Sequence, residues 1–352
     1  ETSQFAMFFY EFLLDRETFA KRFKARMERA LATLEHVCQV PPEAFAGFFR
    51  TLSDAEVRGN AELIEAGIHP ESEFDFTRFC GEKPFSVDLE SLTETYWQAG
   101  LQLRDVIGDL RERLRDLLAE GSYLIGEFGQ AFWLDKRFGF PPNVTASHTL
   151  PSEFFPSTGL PLQPAHVLGV CKAYDTKVGT HVFLSRFSEE HPLGQRLSRL
   201  EYGTTTGRQR MVGWYDAVEK GDAIRYGGCD DLVLNKLDAL SYGGDWQQGG
   251  ELLVCTAYRH PDGHLLHHVP RDIDTHKRLQ PVYRQFPGWE EDISTVRTFD
   301  NLPLNAKRYV AGVLRATLNV AFGDPDTYTG ELPNLRYIGV GPDPDQLIMD
   351  VQ

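Results

Sequence analysis

The sequence predicts an α/β fold, a central and mostly parallel sheet flanked by helices, with a helical region at the N-terminal end. Two observations carry this prediction. Residues 1–120 contain apolar side chains at helical spacing, whereas 121–352 contain short apolar runs that each end in a polar or turn-like segment. Such runs are typical of buried parallel strands that alternate with helices. We expect the two regions to form one integrated domain.

The first predicted helix lies close to the N-terminus, and Asp15 or Thr18 is placed to cap its start. Its apolar side chains recur three and four positions apart: Phe19, Phe23, Met27, Leu31 and Leu34. This spacing puts them on a single helix face. The pattern therefore predicts an amphipathic helix that buries one face.

Residues 40–92 mix Pro, Glu, Phe and Gly with little periodicity, which predicts short helices and loops, and an insertion is expected at about 39–90. The helical pattern returns over Leu92–Leu118 and predicts one long amphipathic helix that Gly121 closes. Most of its arginines fall on the polar face, as on a solvated helix surface.

Four apolar runs are predicted to form strands after Gly121. They are Ser122–Ile125, Val167–Val170, Asp231–Leu234 and Leu252–Cys255. Ligands of open α/β sheets bind beyond the carboxyl ends of the strands. The region 121–352 is therefore expected to bind the ligands, and the residues that follow these runs are the first candidates for chemistry.

Composition and charge restrict the classes of function. The 352 residues are 41% hydrophobic and 25% charged, as in ordinary globular proteins, and the net charge is −15. Such an acidic chain is a poor general binder of nucleic acid or anionic membranes, so neither is an expected partner. The longest apolar stretch, Phe5–Leu14, contains Glu11 and is shorter than the roughly 20 residues of a membrane span.

The cysteines indicate the compartment. There are five of them, an odd number without a Cys-x-x-Cys pair: Cys38, Cys80, Cys171, Cys229 and Cys255. This pattern predicts free thiols in a reducing compartment rather than a disulfide framework or a zinc site. We therefore expect a cytoplasmic protein whose cysteines fill the core.

The sharpest local motif is Asn235-Lys-Leu-Asp238, directly after the strand-like Asp231–Leu234. A carboxylate at Asp238 can accept hydrogen bonds from guanine N1–H and from the guanine 2-amino group, while the stem of Lys236 can cover the purine ring. Adenine offers neither donor and would leave the carboxylate unpaired, which is costly in a buried pocket. The alternative is a strand end that carries ordinary surface polar residues.

A second motif is the segment Glu201–Arg210, in which two glycines bracket three threonines and two arginines follow. Backbone N–H groups, hydroxyls and guanidinium groups in so short a span suit a carboxylate or phosphate ligand. A flexible surface loop is the alternative.

Two weaker motifs complete the survey. Glu127–Gln130 and Thr145 place amide and hydroxyl groups where a nucleotide could be held, or simply in surface loops. The histidines of His264–His268 follow a Pro-Asp-Gly turn and lack a carboxylate or cysteine at helical ligand spacing, so no metal site is predicted in this chain.

Taken in order, these segments resemble the adenylosuccinate synthetase family. The resemblance covers most of 120–350 through Val167–Gly179, Tyr202–Arg208, Val212–Asp216, Asn235–Asp238, Val254–Tyr258, Pro281–Tyr283, Phe286–Trp289, Asn301–Pro303 and Gly339–Pro342. It implies the P-loop-related α/β fold of that family. It also implies a GTP-dependent ligase of purine biosynthesis, which joins L-aspartate to the 6-position of inosine monophosphate (IMP).

The resemblance also implies roles for individual residues. Residues that match the 6-oxopurine nucleotide site are Gln130, Thr145, Val178 and Arg208. The loop that holds aspartate is matched by Thr205, Thr206 and Arg208. The GTP site is matched by Arg210, Lys236, Asp238, Gly339, Val340 and Gly341. A Mg²⁺ cofactor and a homodimer are further expectations from the family.

Several segments depart from the family pattern. The glycine-rich phosphate loop with its catalytic Asp, and the catalytic His, have no counterpart, so the chain is expected to begin after the family's first third and its catalytic residues stay unassigned. Phe128–Phe132 is bulkier than the family's glycine-flanked glutamine, Thr180–Arg186 replaces a Gly-Pro-Phe-Pro-Thr-Glu segment, and Pro344 replaces an arginine.

Two alternatives therefore stay open beside the ligase. One is a divergent homologue that uses another purine nucleotide, and the bulky residues around Gln130 motivate it. The other is a non-catalytic nucleotide-binding or scaffold protein, motivated by the unmatched base, acid and phosphate loop.

Overall fold

The computed structural model describes residues 8–203, 207–241, 243, 246, 250–349 and 351. The chain divides into two compact units, Glu1–Gly121 and Ser122–Gln352. All the described strands belong to the second unit. The expectation of one integrated domain stays a prediction. None of the described helices is long and apolar enough to cross a membrane.

The first unit contains the predicted N-terminal helix, α1 (Arg16–Ala32). Asp15 caps it, because its carboxylate accepts the backbone N–H of Thr18 at 2.8 Å. The buried face of α1 meets the following helices through an aromatic cluster of Phe12, Phe19, Phe23 and Trp97. The predicted helix and its cap are thus confirmed, and the predicted face is buried at Phe19 and Phe23, whereas Leu34 lies beyond α1 and is exposed.

The segment 39–90 is more regular than the sequence predicts. It contains α2 (Pro42–Gly59), a helix of 18 residues, and the short α3 (Ala61–Glu65). The prediction of short helices and loops is wrong for α2. Pro42 lies in the first turn of α2, where a proline needs no N–H partner.

The predicted single helix over Leu92–Leu118 is wrong, because two helices occupy this stretch. They are α4 (Leu89–Leu103) and α5 (Leu110–Ala119). Asp109 starts a new helix by accepting the N–H of Arg111 at 3.0 Å, and Gly108 precedes it. Gly121 closes α5 with a positive φ of 82°, as predicted, since glycine adopts this conformation without strain.

The second unit alternates strands and helices. Its helices are α6 (Phe154–Thr158), α7 (Pro192–Leu200), α8 (Ala217–Gly227), α9 (Ile273–Arg278) and α10 (Leu304–Phe322). Its strands are β1 (Leu168–Lys172), β2 (Asp175–Lys177), β3 (Met211–Gly213), β4 (Tyr215–Asp216), β5 (Asp231–Asn235), β6 (Glu251–Arg259), β7 (Leu265–Leu266), β8 (Gln280–Pro287), β9 (Asn334–Gly339) and β10 (Leu347–Met349).

The main sheet has the strand order β1-β5-β9-β10. The pairs β1–β5 and β5–β9 are parallel, and only the edge strand β10 is antiparallel. A second sheet pairs β2 with β3, and a third places β6 between β4 and the antiparallel strands β7 and β8. The α/β class with a mostly parallel main sheet is confirmed.

One predicted strand is wrong. Ser122–Ile125 has no regular secondary structure, and the side chains of Tyr123 and Ile125 are 97% and 94% exposed. A short apolar run indicates a strand only where a neighbouring strand and a covering layer bury it, and the described residues supply neither here. The other three runs form β1, β5 and part of β6.

The core of the second unit is built around α10, which packs against α8. Gly221 on α8 permits this close approach, because a Cβ atom at this position would overlap Val320. Tyr309 on α10 and Trp289, which follows β8, belong to this core together with side chains from the strands, such as Leu234 and Ile338. The hydrophobic core thus holds α8 and the strands in place against α10.

Asp216 connects β4 to α8 and is buried. Its carboxylate accepts the N–H of Val218 at 3.0 Å and the hydroxyl of Tyr258 at 2.8 Å. Burial raises the pKa of Asp216 to about 7, and the carboxylates of Glu219 and Asp175 add to this rise. The group is therefore protonated in the folded protein at mildly acidic pH.

The free energy of unfolding of the native protein should fall between pH 4 and pH 8. We expect this fall to be smaller in Asp216→Asn. The unfolded carboxyl group ionises near pH ~4, whereas the folded one does so at about 7 although Lys220 attracts its charged form. Its contribution to the free energy of unfolding is therefore complete below pH ~4 and lost as the pH rises through 7.

Urea unfolding of both proteins at pH 4.5 and pH 8 measures this difference. Asp345→Asn is the matched control, since that side chain is 83% exposed. An unchanged pH dependence in Asp216→Asn would contradict the assignment.

Candidate nucleotide-binding site

The candidate site is a cavity of about 1270 Å³ in the second unit. Its lining includes Lys172, Asn235 and Gly339, the last residues of the parallel strands β1, β5 and β9. A cavity therefore lies beyond the carboxyl ends of the strands, where the sequence predicts the ligands, and the binding of ligands there stays a prediction. Its volume exceeds the roughly 300–1,000 Å³ of a typical single-ligand pocket, so the cavity has room for more than one ligand.

Asp238 lines this cavity with a buried carboxylate. Its Oδ1 atom has no hydrogen-bond partner among the described residues. Burial raises the pKa of Asp238, and backbone hydrogen bonds from Asp238 and Ala239 and the charge of Lys236 oppose the rise. A buried acceptor left unpaired is costly, so Oδ1 is the atom of this wall that would gain most from a hydrogen-bond donor.

The backbone around Lys236 is held in an unusual conformation. Lys236 has a φ of 59°, in the left-handed region that few residues other than glycine adopt. The following N–H, that of Leu237, donates to the carbonyl oxygen of Gly339 at 3.0 Å. This bond ties the segment after β5 to the end of β9, so Asn235–Asp238 and Gly339 share one wall of the cavity.

Lys236 also contacts a buried carboxylate that belongs to another motif. Its ammonium group donates to Glu201 at 2.7 Å, and Glu201 is only 2% exposed. Lys172 and Tyr174 donate to the same carboxylate at 2.8 and 2.6 Å. Burial favours a raised pKa for Glu201, but the bonds from Lys172, Lys236 and Tyr174 outweigh it and lower the pKa to about 2.

Glu201 begins the segment Glu201–Arg210, which folds back on itself. The N–H of Arg210 donates to the carbonyl of Glu201 at 3.0 Å, and the N–H of Gly203 donates to that of Arg208 at 2.8 Å. The predicted aspartate ligands Thr205 and Thr206 lie outside the described residues. Arg210 lines the cavity, as expected of a GTP contact.

Arg208 lies beside the other predicted nucleotide residues. A Cβ atom added to Gly179 would come within 3.6 Å of its guanidinium, and Gly179 directly follows Val178. Gln130 and Val178 both line the cavity. Gln130 and Val178 thus share one cavity, and Arg208 lies next to Val178 through Gly179, although their roles stay predictions.

Thr145 is not among the residues that line the cavity. Its N–H donates to the carbonyl of Leu134 at 2.7 Å. The segment is folded around the buried Asp135, which accepts the N–H groups of Arg137 and Thr149, both at 2.7 Å. The predicted contact between Thr145 and a nucleotide phosphate stays a prediction.

Gly339 and Gly341 line the cavity, whereas the side chain of Val340 is fully buried in the core. The N–H of Val340 donates to the carbonyl of Gln346 at 2.9 Å. Gly339 and Gly341 thus present only backbone to the cavity. Pro344, which replaces a family arginine, also lines the cavity.

Sequence reasoning missed several residues of this site. Lys172 and Tyr174 bind Glu201, and Phe132, Trp133 and His181 line the cavity. Lys172 ends β1 as Asn235 ends β5, so the rule that identified Asn235 could have found it. Nothing in the local sequence marks the carboxylate of Glu201 as the partner of two lysines.

Histidine, carboxylate and cysteine groups outside the motifs discussed above do not change the location of the candidate site. Within the described part of the chain, the group best placed to hold a metal ion is His260, Asp262 and His264 on the β6–β7 hairpin. These side chains already hydrogen-bond to one another. All five cysteines are free, as predicted, and burial raises the pKa of Cys171, which lines the cavity as a neutral thiol.

Comparisons with known proteins agree with the motifs. The family model of adenylosuccinate synthetase matches residues 66–322. The adenylosuccinate synthetases of Shouchella clausii and Bacillus cereus are each 36% identical to the chain, over 76% and 69% of its length. These matches cover 59% and 54% of the two relatives, so the chain spans between half and two thirds of their length.

A solved structure agrees with this assignment. The structure of fully ligated adenylosuccinate synthetase from Plasmodium falciparum superposes with a TM-score of 0.66 at 27% identity. The match covers 87% of this chain and 65% of that one. The resemblance identified in the sequence is confirmed: the chain belongs to the adenylosuccinate synthetase family.

Proposed function

We propose that the second unit binds a guanine nucleotide in its cavity, with Asp238 reading the base. The observation that carries this proposal is the buried Oδ1 atom of Asp238, which lacks a partner among the described residues. Guanine supplies two donors, N1–H and the 2-amino group, on the edge that faces such a carboxylate. Adenine supplies neither and would leave the buried acceptor unpaired. Lys236 is placed beside the base.

We further propose that a 6-oxopurine nucleotide, IMP, occupies the part of the cavity near Gln130 and Val178. The volume of about 1270 Å³ leaves room for a second nucleotide. The amide of Gln130 can pair with the 6-oxo group. The guanidinium of Arg208, near Gly179, suits the carboxylates of L-aspartate because it forms bidentate hydrogen bonds.

The reaction proposed is that of the family. The 6-oxygen of IMP attacks the γ-phosphate of GTP and releases GDP, and the aspartate nitrogen then displaces inorganic phosphate from C6. Arg208, Thr205 and Thr206 would hold aspartate for this attack. For this chain we propose only the residues that bind the substrates. We assign no residue to the proton transfers.

Magnesium enters the proposal as an expectation from the family. The described residues do not offer it a fitting site, since the group His260–Asp262–His264 presents imidazoles and lies apart from the cavity lining, whereas Mg²⁺ prefers oxygen ligands. We therefore assign no Mg²⁺ ligand. A cytoplasmic location and a homodimer complete the proposal, the former in keeping with the five free thiols.

A second candidate is a ligase or binding protein for a different purine nucleotide. Phe132 and Trp133 line the cavity next to Gln130, and such bulky rings change the shape available to the base. Competition between IMP and other purine monophosphates would identify the preferred one.

Calorimetric titration with GDP, inosine diphosphate and ADP tests the proposal. We expect GDP to bind at least 100-fold more tightly than ADP, with inosine diphosphate in between because it lacks the 2-amino group. Equal affinities for GDP and ADP would refute guanine recognition. Phosphate release from GTP that requires both IMP and aspartate supports the ligase, and GDP binding without turnover supports the non-catalytic alternative.

Asp238→Asn should lower the affinity for GDP about 100-fold and raise that for xanthosine diphosphate. An asparagine amide can accept from N1–H and donate to the 2-oxo group of xanthine, but it cannot accept both guanine donors. The measurement is the same titration, with Asp345→Asn as the exposed control. Retained GDP affinity together with no gain for xanthosine diphosphate would exclude Asp238 as the base reader.

A further inference from the structure

We propose that His260, Asp262 and His264, on the hairpin between β6 and β7, bind a divalent transition-metal ion of the Zn²⁺ type. Among the described residues, these three form the group of His, Cys, Asp and Glu side chains whose ligand atoms converge, all within 4.8 Å of one another. None of the three lines the cavity. The ion would hold the hairpin closed and take no part in the nucleotide chemistry, so the inference stands apart from the proposed function.

The backbone of the hairpin places the two histidines opposite each other. Residues 261–263 form its turn, and Gly263 has a φ of 97°, which residues with side chains rarely adopt. The N–H of His260 donates to the carbonyl of His264 at 3.0 Å, and the N–H of Gly263 donates to the carbonyl of His260 at 2.8 Å. These bonds fix the distance between the two histidines whatever their side chains contact.

The side chains of the three residues meet on one face of the turn. The imidazole rings of His260 and His264 stack with their centroids 4.6 Å apart. Asp262 folds back from the tip, and its Oδ1 atom accepts the backbone N–H of His264 at 3.2 Å. The same oxygen lies 2.9 Å from Nδ1 of His260 and also contacts Nδ1 of His264. Two ring nitrogens and one carboxylate oxygen thus converge on one point.

The distances between these atoms are close to those of a zinc site. Zn²⁺ binds imidazole nitrogen and carboxylate oxygen at roughly 2.0–2.2 Å, so tetrahedral ligand atoms lie about 3.3 Å apart. The 2.9 Å between Asp262 and His260 needs only a small widening. The side chains of Asp262 and His264 are 59% and 53% exposed, so this movement disturbs little packing. Each ring would bind through Nδ1 and carry its proton on Nε2.

The donor set determines which class of ion fits. Two imidazoles and one carboxylate suit Zn²⁺, Co²⁺ and Ni²⁺, whereas Mg²⁺ and Ca²⁺ prefer sites built from oxygen alone. Three protein ligands leave a coordination position for water, which the exposure of this turn allows. We therefore expect the hairpin to bind Zn²⁺ and to discriminate against Mg²⁺.

The sequence survey dismissed these histidines because it looked for ligands at helical spacing. A hairpin brings together a different spacing, in which His260 and His264 face each other across the turn and Asp262 lies between them. The β6–β7 ladder consists of only two residue pairs, Tyr258 with Leu266 and Arg259 with Leu265. An ion that bridges the two sides of the turn would extend this short ladder and stabilise the end of β6, the strand that joins the third sheet together.

Titration calorimetry of the full chain without a purification tag tests the site. In the native protein we expect one Zn²⁺ per chain and no measurable binding of Mg²⁺. Asp262→Asn keeps an oxygen for the turn, and His264→Phe keeps a ring that can stack, but each removes a ligand. Both should weaken Zn²⁺ binding about 100-fold, since loss of a residue that merely orients a ligand already costs 10- to 100-fold. His36→Ala removes a 70% exposed histidine outside the group and is the matched control.

Hydrogen exchange at the amides of His260 and Gly263 gives a second readout that needs neither nucleotide nor turnover. Both amides donate across the turn. At free Zn²⁺ about ten times its dissociation constant, exchange should slow about tenfold in the native protein, because opening of the turn releases the ion. In Asp262→Asn, the same Zn²⁺ concentration should leave exchange unchanged.

The outcomes separate this inference from the proposed function. Absence of Zn²⁺ binding in the native protein, or equal binding in Asp262→Asn and His264→Phe, overturns the site while leaving GDP recognition intact. Equal affinity for Mg²⁺ and Zn²⁺ also overturns it, because imidazole ligands cannot produce that result. Circular dichroism of both variants without metal checks that they fold. If one of them does not, the other decides by itself.

Discussion

The site depends on the parallel register of β1, β5 and β9. Lys172 lies opposite Asn235, and Leu234 lies opposite Ile338, so the three strands end at one edge of the sheet. A shift of one residue in either pairing would exchange the two faces of a strand. It would turn Lys172 or Asn235 away from its present neighbours. The register, which the hydrophobic core enforces, is therefore the condition for the cavity.

The parts of this arrangement that sequence could predict are local. A buried strand followed by Asn235–Asp238 can be predicted because the strand and the polar residues are adjacent in the chain. The helix cap at Asp15 and the helix end at Gly121 can be predicted for the same reason. These features depend on side chains within one turn of each other, and propensities act at that range.

The parts that sequence could not predict are determined by distant neighbours. Glu201 binds residues 27 to 35 positions away along the chain, a separation that no periodic pattern encodes. Ser122–Ile125 reads as a strand, but only the presence of a neighbouring strand would make it one. The break between α4 and α5 at Gly108 could not be predicted from the sequence either. The apolar spacing continues through it, although Asp109 starts a new helix.

The Oδ1 atom of Asp238, which has no partner among the described residues, also has a consequence for how long the protein persists in a cell. A fold that buries an acceptor without a partner gives up stability in its empty state, and any ligand that binds only the folded state restores it. The empty chain should thus unfold, and be degraded, more readily than the loaded one. The abundance of such a protein would follow the supply of the ligand that fills its cavity, without a separate regulatory element.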